Sequence, residues 1–437
     1  MRIMKILILL LTVACLCGCA FTTVEQMYCL PKRSEEYSNL QSVIDAQMGG
    51  LSYCAPLTGE NQQTVQMADL TGDGEDEYLV FAKGNSEKPL QVLIFGKSEE
   101  TYICLERLSF SGFAFDQVEY VRMDANGGYE LVISSQLSDQ LLKNVNIFTF
   151  GGGSASQLLS ENCTKFIASD LDQDSFAEIL LLHPGQTDTD RGTAVLYGVE
   201  NGVIQRSNEV NMSEPVSALK RVITGKLHGG TPAVYVASAV GEGAIITDVY
   251  AVVDGVFTNV TFSNESGTSV QTLRNYYVYA DDIDNDGVVE LPSLISMPPM
   301  SADAPEQQQY FIRWYAMASD GSEVDKIFTF HNFAEGWYLQ VDRTLASSVT
   351  VLQRPDGIDF YLLRGDEEPR PMMTVYTFTG QDREDQAVAQ NRFILYRGDQ
   401  AIFSGELYAA SGECGMTVDR LTNAFRLIRQ DWKTGET

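Results

Sequence analysis

The chain has 437 residues, 44% of them hydrophobic, so it can bury a large core but is too long for a single ordinary one. One large repeat domain, or two to three smaller domains, is expected. Lys and Arg total 30 against 59 Asp and Glu, which gives a net charge of −29. Phosphate binding needs clustered cations, so this balance excludes a nucleic-acid or anionic-membrane surface.

The N-terminus predicts export and a lipid anchor. Arg2 and Lys5 precede an apolar run at residues 6–13, which is too short for a permanent membrane span. The following Leu16-Cys17-Gly18-Cys19 resembles the bacterial lipoprotein signal, which is cleaved before a cysteine that is then lipidated. We therefore expect a signal peptide at 1–18 and lipidation of Cys19 on the outer side of the bacterial cell membrane, with that lipid as the only membrane contact. A plain secretory peptide is the alternative.

The remaining cysteines predict no disulfide framework. Export would leave an odd number at wide spacing, without a C-x-x-C metal motif. Two alternatives stay open: a Cys29–Cys54 pair, or small buried side chains throughout. The five are Cys29, Cys54, Cys104, Cys163 and Cys414.

A tether and one short helix are predicted for residues 19–57. Ser34 is a suitable N-cap, Leu40 and Ile44 follow at helical spacing, and Gly49-Gly50 ends the pattern.

From residue 58 the pattern changes to repeated short strands. The clearest unit has strands at 65–68, 78–81, 90–95 and 101–108, with an acidic turn after the first. Related turns start at Asp124, Asp170, about Gly225 and Asp282, a period of roughly fifty residues that is typical of propeller blades. The sequence therefore predicts a mainly β protein, with a β-propeller of about five four-stranded blades at 58–333.

The last hundred residues follow a different spacing. Their strands lack the acidic turn, and an amphipathic helix starts at Thr417. A small α+β domain at 334–437 is predicted. The alternative assigns this stretch to two degenerate blades of a seven-bladed ring.

Three acidic turns share one spacing, which predicts cation sites. Oxygen ligands at positions 1, 3 and 5, a small residue at position 6, a backbone carbonyl at 7 and a carboxylate at 9 would form the oxygen cage that calcium prefers. An EF-hand is excluded because position 12 is not Glu and the flanks are strands. The candidate ligands are Asp69, Thr71, Asp73, Glu75 and Glu77; Asp170, Asp172, Asp174, Phe176 and Glu178; and Asp282, Asp284, Asp286, Val288 and Glu290.

These turns resemble those of the FG-GAP or VCBS repeat family, found in integrin α propellers and many bacterial surface proteins. The resemblance covers roughly residues 60–330 and implies a structural calcium ion in the turn that joins the first two strands of a blade. Two turns depart from it. The one starting at Asp124 is two residues short, and the one near Gly225 has no acid, so neither is expected to hold an ion.

Function is predicted only as a class. A binding or scaffolding surface lipoprotein for a protein or glycan is the first interpretation. An exported carbohydrate-active enzyme (polysaccharide lyase or glycosidase) and an envelope-assembly factor are the alternatives, and no catalytic residue can be chosen. The three histidines lie in separate units, which argues against zinc or a His-based triad. Aromatic residues near the third acidic turn, Trp314 and Trp337 among them, predict core packing, with a stacking platform as the alternative.

Overall fold

The computed structural model describes residues 35–429, apart from 100, 126, 138–141, 152–153, 188, 201, 277, 301–308 and 366. The predicted lipidation site Cys19, the tether up to residue 34 and Cys29 lie outside this range. The described chain is mainly β, as predicted. Its helices are short: α1 (Glu35–Gln47), α2 (Arg343–Ser348), α3 (Arg383–Ala387) and α4 (Val418–Ala424).

The strands form six antiparallel sheets that follow one another along the chain. The first sheet contains β1 (Ser52–Tyr53), β2 (Val65–Ala68), β3 (Glu77–Lys83), β4 (Leu90–Ser98) and β5 (Thr101–Phe110). The second contains β6 (Ala114–Val121), β7 (Glu130–Gln136), β8 (Lys143–Gly151) and β9 (Ser154–Cys163). The third contains β10 (Lys165–Ser169), β11 (Glu178–His183), β12 (Thr193–Glu200), β13 (Val203–Arg206) and β14 (Val210–Asn211).

The other three sheets repeat this design. The fourth contains β15 (Leu219–Lys226), β16 (Pro232–Val240), β17 (Ala244–Val253) and β18 (Val256–Asn259). The fifth contains β19 (Glu290–Ser296), β20 (Tyr310–Met317), β21 (Glu323–Asn332), β22 (Trp337–Val341) and β28 (Phe425–Leu427). The sixth contains β23 (Val349–Arg354), β24 (Gly357–Leu362), β25 (Arg370–Thr379), β26 (Phe393–Arg397) and β27 (Ala401–Leu407).

Successive sheets pack face to face through shared hydrophobic clusters. Phe81 of the first sheet and Phe115 of the second, for example, lie in one cluster with ring centroids 5.2 Å apart. Equivalent clusters join the second sheet to the third, the third to the fourth, the fourth to the fifth and the fifth to the sixth. Strands with apolar side chains on both faces are what such stacking requires.

Helices cover the outer faces of the two terminal sheets. Leu40 and Ile44 of α1 pack on Val80, Leu93 and Phe95 of the first sheet. On the sixth sheet, α3 contributes Ala387 to a separate small cluster. Within the described residues, no hydrophobic cluster joins the sixth sheet to the first.

The C-terminal region differs from the sequence-based expectation. Residues 349–407 form a sixth antiparallel sheet, and the helices α2, α3 and α4 lie in the same region. The predicted boundary at 333/334 falls between the hydrogen-bonded strands β21 and β22. β28, near the C-terminus, also pairs with β22, so the fifth sheet draws strands from both sides of that boundary.

The described cysteines, Cys54, Cys104, Cys163 and Cys414, are free thiols. None of the helices in the described range has both the length and the apolarity needed to cross a membrane.

Candidate functional site: acidic loops and a cavity between sheets

Loops 69–77 and 170–178 join β2 to β3 and β10 to β11, whereas loop 282–290 leads into β19, the first strand of the fifth sheet. We number the residues of each loop 1 to 9. Position 9 is a buried Glu that begins the strand after the loop. Its Oε2 accepts the backbone N–H of position 2, which is a buried apolar residue. The three bonds are Leu70 to Glu77 at 2.8 Å, Leu171 to Glu178 at 2.8 Å and Ile283 to Glu290 at 3.1 Å.

The loop backbone is held by the acids themselves. The first Asp accepts two backbone N–H groups, as Asp69 does from Gly72 at 2.7 Å and Gly74 at 3.0 Å. The Asp at position 5 accepts the N–H of position 7 in all three loops. Position 6 has a left-handed backbone, with φ of 87° at Gly74, 78° at Ser175 and 85° at Gly287, which explains the small residue there.

Two of the loops bring three carboxylates together. The groups are Asp170, Asp172 and Glu178, and Asp282, Asp284 and Glu290; within each, carboxylate oxygens lie within 4.8 Å of one another. Either group could hold a metal ion, because converging carboxylate oxygens suit a hard cation.

The electrostatics of the two groups agree with that reading. Burial, assisted by neighbouring carboxylates, raises the pKa of Glu178 to about 7 and that of Glu290 to about 8. The Oε1 atom of Glu290 is buried without a hydrogen-bond partner in the described residues. A cation would relieve both the repulsion and the unmet hydrogen-bonding capacity.

Other predicted ligands lie outside these groups. In loop 69–77, Thr71 Oγ1 donates to Glu77 Oε1 at 3.3 Å, and the loop forms no three-acid group. The position-5 acids Asp73, Asp174 and Asp286 are likewise outside both groups. The carbonyl ligands predicted at Glu75, Phe176 and Val288 remain predictions.

A lysine lies beside loop 282–290. Lys326 on β21 forms an ion pair with Asp286, and its Nζ is 3.9 Å from Glu290 Oε1. This ammonium partly neutralises the group formed by Asp282, Asp284 and Glu290.

For the equivalent loop of the second sheet, between β6 and β7, the sequence predicted the wrong register. Met123 donates its N–H to Glu130 Oε2 at 2.9 Å, which is the bond from position 2 to position 9. The loop therefore starts at Arg122 rather than Asp124 and has the full nine residues. The available signal was an apolar residue seven positions before a Glu that begins a strand. Sequence reasoning required an Asp at position 1 and therefore missed it.

The loop of the fourth sheet, between β15 and β16, has only part of this hydrogen-bonded arrangement. It starts at Lys226, its position-2 residue Leu227 is buried, and it has neither the acids nor the final Glu. It is also one residue shorter, because Gly225 pairs with Ala233, whereas Ala68 pairs with Glu77 in the first sheet.

Neighbouring loops are hydrogen-bonded to one another. Position 8 of one loop donates its N–H to the carbonyl of position 1 in the loop before it. These bonds are Tyr129 to Asp69 at 3.0 Å, Ala177 to Arg122 at 2.7 Å and Val289 to Lys226 at 3.0 Å.

A cavity of about 530 Å³ lies among the first strands of the second, third and fourth sheets and the loop before β2. Sequence reasoning missed it, because its polar residues come from four distant segments. Glu60, Glu119 and Lys165 line it. Burial and the nearby Lys143 lower the pKa of Lys165, and burial raises the pKa of Glu119.

The hydrogen bonds around the cavity leave Lys165 available. Lys143 is neutralised by Asp116, with Nζ 2.7 Å from Oδ2, and Glu119 accepts from Gln117 at 3.1 Å. Lys165 is half-buried, and none of the ion pairs or side-chain hydrogen bonds found in the described residues involves its ammonium.

The aromatic platform is excluded for the two tryptophans. Trp314 and Trp337 have no exposed surface and lie in separate hydrophobic clusters. Core packing, the favoured prediction, is correct for them.

Comparisons with known proteins give distant structural matches only. No protein-family model matches the chain, and no curated protein does. The chain is similar to the exotype rhamnogalacturonan lyase YesX at 15% identity and a TM-score of 0.31, over 67% of this chain and 53% of that one. It is similar to the rhamnogalacturonan lyase YesW at 14% identity and a TM-score of 0.30, over 71% of this chain and 58% of that one. It is similar to the Bacillus licheniformis rhamnogalacturonan lyase PL11 at 11% identity and a TM-score of 0.28, over 74% of this chain and 71% of that one.

The chain thus spans little more than half the length of the first two of these proteins.

Proposed function

We propose that this protein is an exported carbohydrate-active enzyme that cleaves an acidic polysaccharide in the cavity among the first strands. The observation that carries the proposal is the placement of Lys165 with Glu60 and Glu119, from separate segments, in that cavity. The lowered pKa of Lys165 favours its use as a base, and the raised pKa of Glu119 favours its use as an acid.

The reaction that suits this pair is β-elimination. Lys165 Nζ takes the proton from the sugar carbon next to a carboxylate, the bond to the leaving sugar oxygen breaks, and a carbon–carbon double bond forms. Glu119 supplies the proton that the leaving oxygen needs. Glycosidase chemistry would use only the two carboxyl groups, Glu60 and Glu119, and would leave Lys165 without a role.

Lys165→Ala tests this role. Turnover of uronate polysaccharides would be followed by the ultraviolet absorbance of the new double bond, and we expect a loss of about 10²-fold or more. Lys220→Ala removes an exposed lysine of β15 and serves as the control. Activity that survives Lys165→Ala would reject this site.

A binding module is the second candidate. The repeated loops and the continuous stacking of sheets favour it, because they make a rigid surface without requiring chemistry. Saccharide binding by wild type without turnover of any polysaccharide would select the module over the enzyme.

We propose a propeller-like arrangement of six blades of the FG-GAP or VCBS kind, with a helix covering each end. Three observations support it: first strands that line one cavity, sheets that stack in sequence, and loops with equivalent bonds at positions 1, 2, 8 and 9. Lipidation of Cys19 and attachment to the outer side of the membrane complete the proposal. Loss of fatty-acid labelling in Cys19→Ala would support the anchor, and retained label would reject it.

Calcium is proposed as a structural ion in the acidic loops. A cation that binds only the folded chain stabilises it by about 2.7 kcal/mol per site at a hundredfold excess over its dissociation constant. Extracellular sites of this type typically bind at about 10⁻⁴ to 10⁻³ M. Millimolar calcium should raise the melting temperature more than magnesium does, and a chelator should lower it.

Two variants locate the effect. Asp284→Ala removes an acid from a three-carboxylate group, whereas Thr71→Ala removes a hydroxyl from a loop that lacks such a group. The first should abolish more of the calcium response. A melt that ignores calcium and chelator would identify these loops as ordinary acidic turns.

A further inference from the structure

A patch of uncharged polar side chains lies on the last two strands of the second sheet, β8 and β9. Asn144 and Asn162 are paired across β8 and β9, and Asn146 and Ser160 form the next pair on the same face. Gln157 on β9 joins them. We call these five residues the amide ladder.

The ladder is internally hydrogen-bonded. Asn146 donates to Asn144 Oδ1 at 2.7 Å, Gln157 donates to Asn146 Oδ1 at 2.7 Å, and Asn144 donates to Asn162 Oδ1 at 3.0 Å. These bonds fix the orientation of each amide, so the groups they present are arranged before any ligand arrives.

The ladder also keeps unused capacity. Within the described residues, the Asn162 amide donates no side-chain hydrogen bond and Gln157 Oε1 accepts none. Asn162, Ser160 and Gln157 are all exposed. A donor, an acceptor and a hydroxyl on one rigid patch can meet the hydroxyl groups of a sugar, each of which both donates and accepts.

Two clefts meet at this patch. One, of about 730 Å³, extends towards the first sheet and is lined by the whole ladder. The other, of about 580 Å³, extends towards the third sheet. Asn144, Ser160 and Asn162 line both, so the ladder lies in the middle of a groove that is longer than either cleft.

The charge of the larger cleft is opposite to that of the protein. Lys88 and Arg107 line it, and none of its lining residues is acidic, although the chain carries 59 Asp and Glu against 30 Lys and Arg. Cations beside uncharged amides favour a ligand that has both carboxylates and hydroxyl groups.

We propose that the amide ladder and the cleft containing Lys88 and Arg107 bind an acidic saccharide. The proposal rests on the proposed function for the class of ligand, but it places binding at β8 and β9, away from the Lys165 cavity on the first strands. The ladder would position a chain of uronate sugars by its hydroxyl groups, and the two cations would contact its carboxylates.

Asn162→Asp is the sharpest test, because it keeps the shape of the side chain and adds a negative charge. Binding would be measured by calorimetry with oligogalacturonate, and with a neutral cello-oligosaccharide as reference. We expect oligogalacturonate affinity to fall about tenfold or more, since one lost charge-compatible contact is worth about 1.4 kcal/mol. Gln353→Glu adds the same charge to an exposed position of the sixth sheet and should leave affinity unchanged.

A second variant guards against misfolding. Lys88→Ala changes an exposed side chain and should weaken binding of oligogalacturonate but not of its methyl ester. Unchanged affinity in both Asn162→Asp and Lys88→Ala would overturn the proposal, as would wild type binding no uronate oligosaccharide.

The outcomes for the two sites are separable. Binding that depends on the ladder, without turnover, would reject the enzyme and keep the groove. Turnover that depends on Lys165 but is insensitive to the ladder variants would reject the groove and keep the enzyme.

Discussion

Position 6 of the acidic loops shows how a single side chain can conflict with the backbone that it occupies. Glycine holds the left-handed conformation at Gly74 and Gly287, but Ser175 has φ of 78°. A Cβ in this region meets its own carbonyl, which costs about 1–2 kcal/mol.

Ser175→Gly should therefore stabilise the protein, by about 1 kcal/mol or slightly less, because glycine also gains freedom in the unfolded chain. Gly74→Ala is the matched reverse change. No atom lies within 4 Å of the added Cβ, so its cost is conformational and should be about 1 kcal/mol. Thermal or urea unfolding measures both.

Calcium-free buffer should be used for this pair, so that ion binding does not hide the backbone effect. Destabilisation by Ser175→Gly would mean that the serine hydroxyl contributes more than the strain costs.

The buried glutamates make stability depend on pH. Burial raises the folded-state pKa of Glu290 to about 8, above its ordinary 4.5. The folded state therefore holds the proton more tightly than the unfolded state does. The resulting stability is fully present below the unfolded pKa and is lost as pH rises towards 8.

In chelator, the melting temperature should fall between pH 5 and 8, and Glu290→Gln should reduce that fall. Calcium binds the ionised carboxylate, so it should reduce the fall in wild type. A wild-type melting temperature that rises over this range would contradict the environment described for Glu290.

At the scale of the loop, the hydrogen-bonded frame and the ion ligands are separate features. The loop of the second sheet keeps the bond from Met123 to Glu130 but has Arg122 at position 1. Its remaining sequence has Asp124 at position 3, Asn126 at position 5 and Gly127 at position 6. One residue separates it from the full set of side-chain ligands.

Arg122→Asp should therefore create a cation site. We expect an added calcium-dependent rise in melting temperature, and one additional bound calcium by equilibrium dialysis. Arg122→Ala removes the same cation without supplying a ligand and should add no site. Equal calcium binding by the two variants would show that position 1 does not decide ion binding.

The sequence predicted those parts of the loops that depend on local chemistry. Strand β2, the acidic turns and the short helix α1 lie where periodicity and turn residues placed them. The register of the second loop was missed, because its defining bond uses the buried pair Met123 and Glu130. The groupings around Lys165 and Asn162 were also missed, because they depend on contacts between sheets that no local spacing encodes.

At the scale of the whole molecule, the fifth sheet binds the C-terminal region to the rest. Trp337 of β22 and Phe425 of β28 are buried in the same cluster as Phe311 and Phe330. The sequence could not show this, because β28 pairs with a strand that lies far earlier in the chain.

A chain ending at residue 333 should therefore melt at a lower temperature than the full chain and bind a hydrophobic dye more strongly. It loses β22, β28 and the whole sixth sheet, and it exposes the apolar face of the fifth sheet that packs on the sixth. Thermal unfolding and dye fluorescence measure the change. A cooperative melt at the full-length temperature would instead support a separate C-terminal domain.

The backbone bonds between successive loops have a consequence for how motion spreads through the protein. The amide of Ala177 is protected by the carbonyl of Arg122, and that of Tyr129 by the carbonyl of Asp69. In these pairs, an oxygen of one loop shields an amide of the loop that follows it. Opening one loop should accelerate deuterium uptake at the next one along the chain, while loops two sheets away keep their rates, as in a row of units coupled only to nearest neighbours.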